Sequence, residues 1–306
     1  MKRITIGKSG VTAPAVTLGC MGMGGLSREE AAALVGTALD TGIDFFDHAD
    51  IYADGRSEEI FAEAFDFSLR DRVILQTKCG INRRPHTHYD FSREHILASV
   101  EGSLRRLKTD YIDILLLHRP DTLMEPAEVA EAFTRLRDSG KVKHFGVSNQ
   151  GPGQIEVLQK YLDQPIAANQ LRFGICHTGM IDAGLHVNMI SPPSADHDGG
   201  ILEYCRVREI TIQAWSPFQY GAREGVFIGS EKYPELNAVL DRIGAERGVT
   251  ASAVAIAWIL RHPANMQAIV GTTRPDRLRD IAMAGDVTLS RPEWYEIYKA
   301  AGNTLP

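Results

Sequence analysis

Residues 111–118 read YIDILLLH, an Ile/Leu run with one acid near its start and an imidazole at its end. A strand with one wet face alternates apolar and polar residues. One covered by helices on both faces reads as a nearly unbroken apolar run. The stretch therefore predicts a buried parallel strand. Comparable short runs stand before and after it: AVTLG (15–19), IDFFD (43–47), RVILQTK (72–78), KHFGVSN (143–149), AANQL (167–171), TIQAWSP (211–217) and MQAIVGT (266–272). Helical patterns lie between or near them. Ser27 and Glu30 make a capping box for AAALVGTALD (31–40), which stops at Gly42. Ser57 is expected to cap EEIFAEAF (58–65), Ser92 opens REHILASVEGSLRRL (93–107), and AEVAEAFTRLRD (127–138) ends at Gly140. Roughly eight β/α units without a linker or composition break predict one (β/α)8 TIM barrel. It would span residues 1–306 as one domain, preceded by an N-terminal β-hairpin turning between Gly7 and Gly10.

The competing architecture is a doubly wound sheet. Its nucleotide fingerprint, G-x-G-x-x-G after the first strand, is absent, because GCMGMGGL (19–26) has the wrong spacing. Two connections, 172–200 and 218–234, are unusually long. Both follow strands, so they are expected at the C-terminal face of the barrel, as a lid or pocket wall.

A 44% hydrophobic and 24% charged composition supplies a large core, and a net charge of −6 argues against a nucleic-acid partner. The cysteines Cys20, Cys79, Cys176 and Cys205 are widely spaced, which suits free thiols in a reducing cytoplasm better than a disulfide framework. The longest apolar stretch, near 253–260, is far shorter than the ~20 residues of a membrane span, so no membrane association is expected.

Three consecutive strands finish on residues foreign to a core: Asp47, Lys78 and His118. Neighbouring parallel strands lie about 5 Å apart, so these groups converge at the barrel mouth. Tyr52 stands on the loop above them, in FDHADIYADGRSEE (46–59). A phenol titrates near 10 and is a poor acid at neutral pH. A nearby ammonium lowers that value and makes it a better proton donor, while Asp47 supplies the counter-ion that burial of Lys78 demands. His118 can hold a carbonyl oxygen. No motif presents a Ser or Cys nucleophile and no spacing suits a metal, so the attacking group is expected to be a hydride from a bound cofactor.

FDHADIYADGRSEE is similar to the signature of the aldo-keto reductases, in which an Asp, a Tyr five residues on and a G-x-[SA]-E follow one another. Lys78 in ILQTK and His118 in IDILLLH match the other two members of that family's tetrad, and the resemblance runs from TLGCMG to GTTRPDRLRD. It implies an NADP(H)-dependent reductase of aldehydes or ketones. Tyr52 would be the general acid, with Lys78 depressing its pKa, Asp47 pairing with Lys78 and His118 orienting the carbonyl. Ser148, Asn149 and Gln170 match positions that hold the nicotinamide carboxamide. Gly19, Cys20 and Met21 would line that end through their backbone, and Trp215 would stack on the ring. Ser216, Pro217, Phe218 and Gln219 would approach the pyrophosphate. Gly271, Thr272, Thr273, Arg274 and Arg277 match the adenosine 2′-phosphate site, with Asp280 near the adenine.

Met21, Phe173, Phe218 and Tyr220 are candidate pocket walls for a small carbonyl substrate. His177, His186 and His197 in the long connection fit no standard zinc spacing, and His86 and His88 read as a surface turn. Two other readings stand beside this one. The first is an NADPH-binding regulatory protein resembling channel-associated subunits, with little turnover. The second is a metal-dependent barrel hydrolase built on His48 and His118.

Overall fold

The computed structural model describes residues 1–221 and 224–306. Eight parallel strands close into a barrel: β1 (Val16–Gly19), β2 (Phe45–Asp47), β3 (Ile74–Cys79), β4 (Ile112–Leu117), β5 (Val142–Ser148), β6 (Ile166–Arg172), β7 (Thr211–Trp215) and β8 (Gln267–Val270). Each pairs with its sequence neighbours, and β8 returns to β1 through Ala268 opposite Val16. Ile112–Leu117 of the YIDILLLH stretch are β4, buried at every position, with Tyr111 and His118 partly exposed at its ends. Its one acid, Asp113, is satisfied where it lies: Oδ2 accepts from Arg70 (2.9 Å) and from the Leu75 amide (3.0 Å). The hairpin Arg3–Thr5 and Thr12–Pro14 pairs antiparallel below the barrel.

The helices are α1 (Arg28–Asp40), α2 (Arg56–Ala64), α3 (Arg93–Leu107), α4 (Pro126–Asp138), α5 (Pro152–Gln159), α6 (Gly179–Leu185), α7 (Ile201–Arg208), α8 (Pro234–Arg247), α9 (Ala251–Leu260), α10 (Pro275–Ala282) and α11 (Arg291–Ala300). Ser27 and Glu30 form the expected capping box, and Ser92 caps α3. Ser57 does not cap α2. That helix starts one residue before it, behind the left-handed Gly55, and the Ser57 hydroxyl instead donates to Met21 O (3.3 Å) and accepts from Gly24 N (3.1 Å). The apolar stretch at 253–260 is α9, hydrophobic all round because all of it is buried. Among the described residues no single helix is long and apolar enough to cross a membrane.

The long connection 172–200 holds α6 and is tied to the C-terminus. Tyr298 donates to Asp182 (2.6 Å), and the His186 ring lies 3.0 Å from the Thr304 carbonyl oxygen. In the 218–234 connection, Gln219–Tyr220 pairs with Gly225–Val226, and residues 222 and 223 lie outside the described part.

Candidate active site

The barrel interior is plugged by amides rather than by aliphatic side chains alone. Gln76 Nε2 donates to Asp47 Oδ1 (2.6 Å) and to Gln213 Oε1 (2.9 Å). Gln213 Nε2 donates back to Gln76 (3.0 Å) and on to Gln267 (2.9 Å), whose own amide reaches Pro14 O (2.8 Å). Sequence reasoning missed this ladder. Its signal was a lone glutamine in each of three apolar strands. Side chains alternate along a strand, so Gln76 and Lys78 share the inward face. The ladder thus forms the floor on which the charged pair rests.

Above it, Lys78 is fully buried. Its ammonium donates to Asp47 Oδ2 (2.8 Å), to the His48 carbonyl (2.7 Å) and to the Tyr52 hydroxyl (3.0 Å), which uses all three of its protons. Burial alone would drive the ammonium's pKa down, but Asp47 and Tyr52 outweigh it and hold the group above the ordinary lysine range. Asp47 is nearly buried too, and its second oxygen accepts from Gln76 and from Gln170 Nε2 (3.0 Å). Every hydrogen-bonding site of this pair that matters is occupied, as a buried ion pair requires.

Tyr52 opens a turn, Tyr52–Gly55, in which Ala53, Asp54 and Gly55 are all left-handed. Burial raises the Tyr52 pKa, the Lys78 ammonium opposes it, and Asp47 adds to the rise; the net direction is upward. Lys78 thus acts in the expected, lowering direction, and burial exceeds it in the net. The Tyr52 ring meets the His118 ring edge-on at 5.9 Å. Burial, Lys78 and Arg119 hold His118 well below the usual imidazole range, so it is neutral, and its Nδ1 is buried without a partner. His48 is likewise neutral, lowered to about 3 by burial and Lys78, with neither ring nitrogen hydrogen-bonded and its ring packed against Phe61 (4.8 Å). Among the described residues no group of three or more His, Cys, Asp or Glu side chains is arranged to hold a metal ion.

Around this centre, β5 ends in Ser148, whose hydroxyl donates to Gln170 O (3.0 Å). The left-handed Asn149 donates to Ser148 (2.7 Å) and accepts from Trp215 Nε1 (3.1 Å). The half-buried Trp215 ring is flanked by the guanidinium groups of Arg119 (5.5 Å) and Arg172 (5.8 Å), two cations not anticipated from the sequence. Gln170 faces two ways. Its amide nitrogen is committed inward to Asp47 and Gln213, leaving only Oε1 for a ligand. Cys20 is buried and Met21 exposed in the 3-10 turn that follows Gly19.

Gly22 lies against the β8 loop: a Cβ there would come 2.9 Å from the Thr273 methyl. Ser216 is left-handed, leading through Pro217 and Phe218 into the hairpin at Gln219. Past β8, Gly271, Thr272 and Thr273 run into the N-terminus of α10. There Arg277 and Asp280 are exposed and Arg274 is paired with Asp276.

Two pocket candidates are corrected. Phe173 is fully buried and stacks on Trp258 (5.5 Å), and Tyr220 is buried against Tyr233 (5.2 Å), so both are packing residues. Phe218 is half-buried near Phe227. His177 and His197 are exposed and line a cavity of about 550 Å³ with Gln150 and Arg172, while His186 is buried. His86 and His88 lie on a surface hairpin turn, the His88 ring 2.9 Å from the His86 carbonyl.

Residues 15–301 match the Aldo/keto reductase family. The oxidoreductase YcsN of Bacillus subtilis (strain 168) is 38% identical over 92% of this chain and 91% of that protein. A 6-dehydroglucose reductase of Agrobacterium fabrum is 37% identical over 90% of this chain and 89% of its own length. Among solved structures, an aldo/keto reductase from Klebsiella pneumoniae in complex with NADP and acetate superposes with a TM-score of 0.77. It is 27% identical, with 98% of this chain and 95% of that one covered.

Proposed function

The chain belongs to the aldo/keto reductase family, and from that premise we propose that it reduces an aldehyde or ketone to an alcohol with NADPH, Tyr52 giving the proton. The observation that carries the reading is the 3.0 Å contact between Lys78 Nζ and the Tyr52 hydroxyl, closed from below by Asp47 at 2.8 Å. A phenol held above its ordinary pKa stays protonated through the neutral range. Negative charge developing on a carbonyl oxygen draws the proton off, and the ammonium at 3.0 Å stabilises the phenolate as it forms. His118, neutral, donates a hydrogen bond from its ring N–H to the same oxygen. When bound, the nicotinamide supplies the hydride.

The residues present fit that cofactor. Trp215 offers a half-exposed aromatic face, Asn149 and the free Gln170 Oε1 offer an amide and an acceptor, and Gly22 lets the β1 loop approach the β8 loop closely. Arg277 has no acidic partner among the described residues, which suits a 2′-phosphate. The similarity to a 6-dehydroglucose reductase makes the aldehyde of an oxidised sugar the first substrate to try.

A screen of NADPH oxidation over sugar aldehydes, simple aldehydes, ketones and quinones tests the reading. Turnover of a carbonyl, with NADPH bound more tightly than NADH, is expected. Tight NADPH binding with no turnover of any carbonyl would contradict it and favour the regulatory alternative.

A further inference from the structure

The turn that carries Tyr52 is held from outside the barrel. Ala53 (φ 48°) and Asp54 (φ 54°) are left-handed without being glycine, a conformation that persists only where the surroundings impose it. Asp54 is paired with Arg83 (2.6 Å), and a second hold on the turn comes from α3. The Arg106 side chain passes directly under Gly55: a Cβ at Gly55 would fall 2.7 Å from Arg106 Cδ and 2.8 Å from its Nε. The slot continues at Gly102, where a Cβ would lie 3.0 Å from Arg106 Nη1. Arg106 Nε donates to Glu58 Oε2 (2.7 Å), and Glu58, on α2, is fully buried. The other Glu58 oxygen accepts from Thr77 Oγ1 (2.6 Å), the residue before Lys78 on β3. One chain of contacts thus joins α3, α2, the Tyr52 turn and the strand that bears Lys78.

Asp50 closes this cluster. Its backbone amide donates to the Lys78 carbonyl (3.1 Å), and its side-chain Oδ1 is buried without a partner. The groups that face it are Glu58 on α2, Arg106 and the Ser99 hydroxyl on α3, and Cys79 on β3. Burial and Glu58 push its carboxyl up to about 7, against the pull of Arg106.

Resting on Tyr52 as the proton donor, we propose that Arg106 and Glu58 are positioning residues that hold the Tyr52 turn against Lys78, and that ionisation of Asp50 loosens this hold by competing with Glu58 for Arg106. Turnover is then highest with Asp50 protonated and falls as pH rises through the neutral range. Neither Arg106 nor Asp50 touches the reacting atoms.

The experiment is the pH profile of kcat and of kcat/KM for carbonyl reduction, together with NADPH affinity, in the wild type, Asp50→Asn, Arg106→Met and Arg106→Lys. The wild type shows a limb near pH 7, and Asp50→Asn lacks it while keeping the acid-side kcat. Arg106→Met abolishes the limb, because ionised Asp50 then has no guanidinium to draw away from Glu58. It also lowers kcat about tenfold or more, since a misplacement of ~1 Å can cost ~100-fold, while NADPH affinity is unchanged. Arg106→Lys restores part of both. A limb that persists in Asp50→Asn, or an Arg106→Met enzyme with wild-type kcat and profile, overturns the inference. If Arg106→Met fails to fold, Asp50→Asn decides alone. Reduction retained in Tyr52→Phe sinks the underlying reading instead. Loss of reduction in Tyr52→Phe with unmoved Asp50 and Arg106 profiles sinks the positioning claim only.

Discussion

Lys78 and Asp47 carry opposite charges with almost no exposure. Replacing a buried pair by apolar residues can be neutral, whereas removing one partner strands the other charge and costs about 3–5 kcal/mol. Asp47→Asn keeps the shape and removes only the charge, so its unfolding free energy in urea is expected to fall by roughly that amount. Unchanged stability would mean that Lys78 is neutral in the fold. Asp50 presents the opposite sign. An acid whose folded pKa lies near 7 binds its proton more tightly in the native state. It therefore costs nothing below about pH 4 and progressively destabilises the fold as pH rises from there to 7. Asp50→Asn removes that cost. Its Tm is expected to exceed the wild type's at pH 8 and to match it near pH 4; an equal Tm at both would show that the carboxyl is not strained by burial.

At the scale of elements, the strands were legible because burial on both faces leaves an apolar run that no turn or surface helix imitates. Asp47, Lys78 and His118 were legible for the same reason, each being a polar residue where such a run stops. What escaped reading depended on contacts distant in sequence. Ser57 matched an N-cap by spacing, yet the left-handed Gly55 starts α2 earlier and frees the hydroxyl to bridge the loop after β1. Phe173 resembled a pocket wall because nothing local announces Trp258 behind it. The glutamine ladder spans β3, β7 and β8 and is visible only once the barrel closes. Since Ser57 ties α2 to Met21 and Gly24, Ser57→Ala is expected to lose about 1 kcal/mol of stability. It should also weaken NADPH binding, read by quenching of Trp fluorescence, as the β1 loop relaxes. Unaltered affinity would detach that loop from the cofactor site.

The whole molecule is closed at its C-terminal side by aromatic packing. Trp258 of α9 and Trp294 of α11 stack at 4.7 Å and exchange indole hydrogen bonds to each other's carbonyls, both at 3.0 Å. Phe173 packs on this pair from the 172–200 connection, which Tyr298 and Thr304 also anchor. That connection is therefore anchored to α9, α11 and the C-terminus. Cofactor choice belongs to this scale, because β1, β5, β7 and α10 supply candidate contacts from around the ring. Arg277→Ala is expected to weaken NADPH binding about tenfold or more, the worth of a hydrogen bond to a charged group, and to leave NADH binding unchanged. Equal losses for both would place the 2′-phosphate elsewhere.

The central claim is that a buried amine and a phenol at its side form one proton-donating unit. Single-turnover reduction with NADPH prebound, followed by loss of nicotinamide absorbance in Tyr52→Phe, measures that unit most directly. With only one oxygen removed, the cofactor should still bind and the rate should drop by about 10²–10⁴. A rate close to that of the wild type would contradict the account.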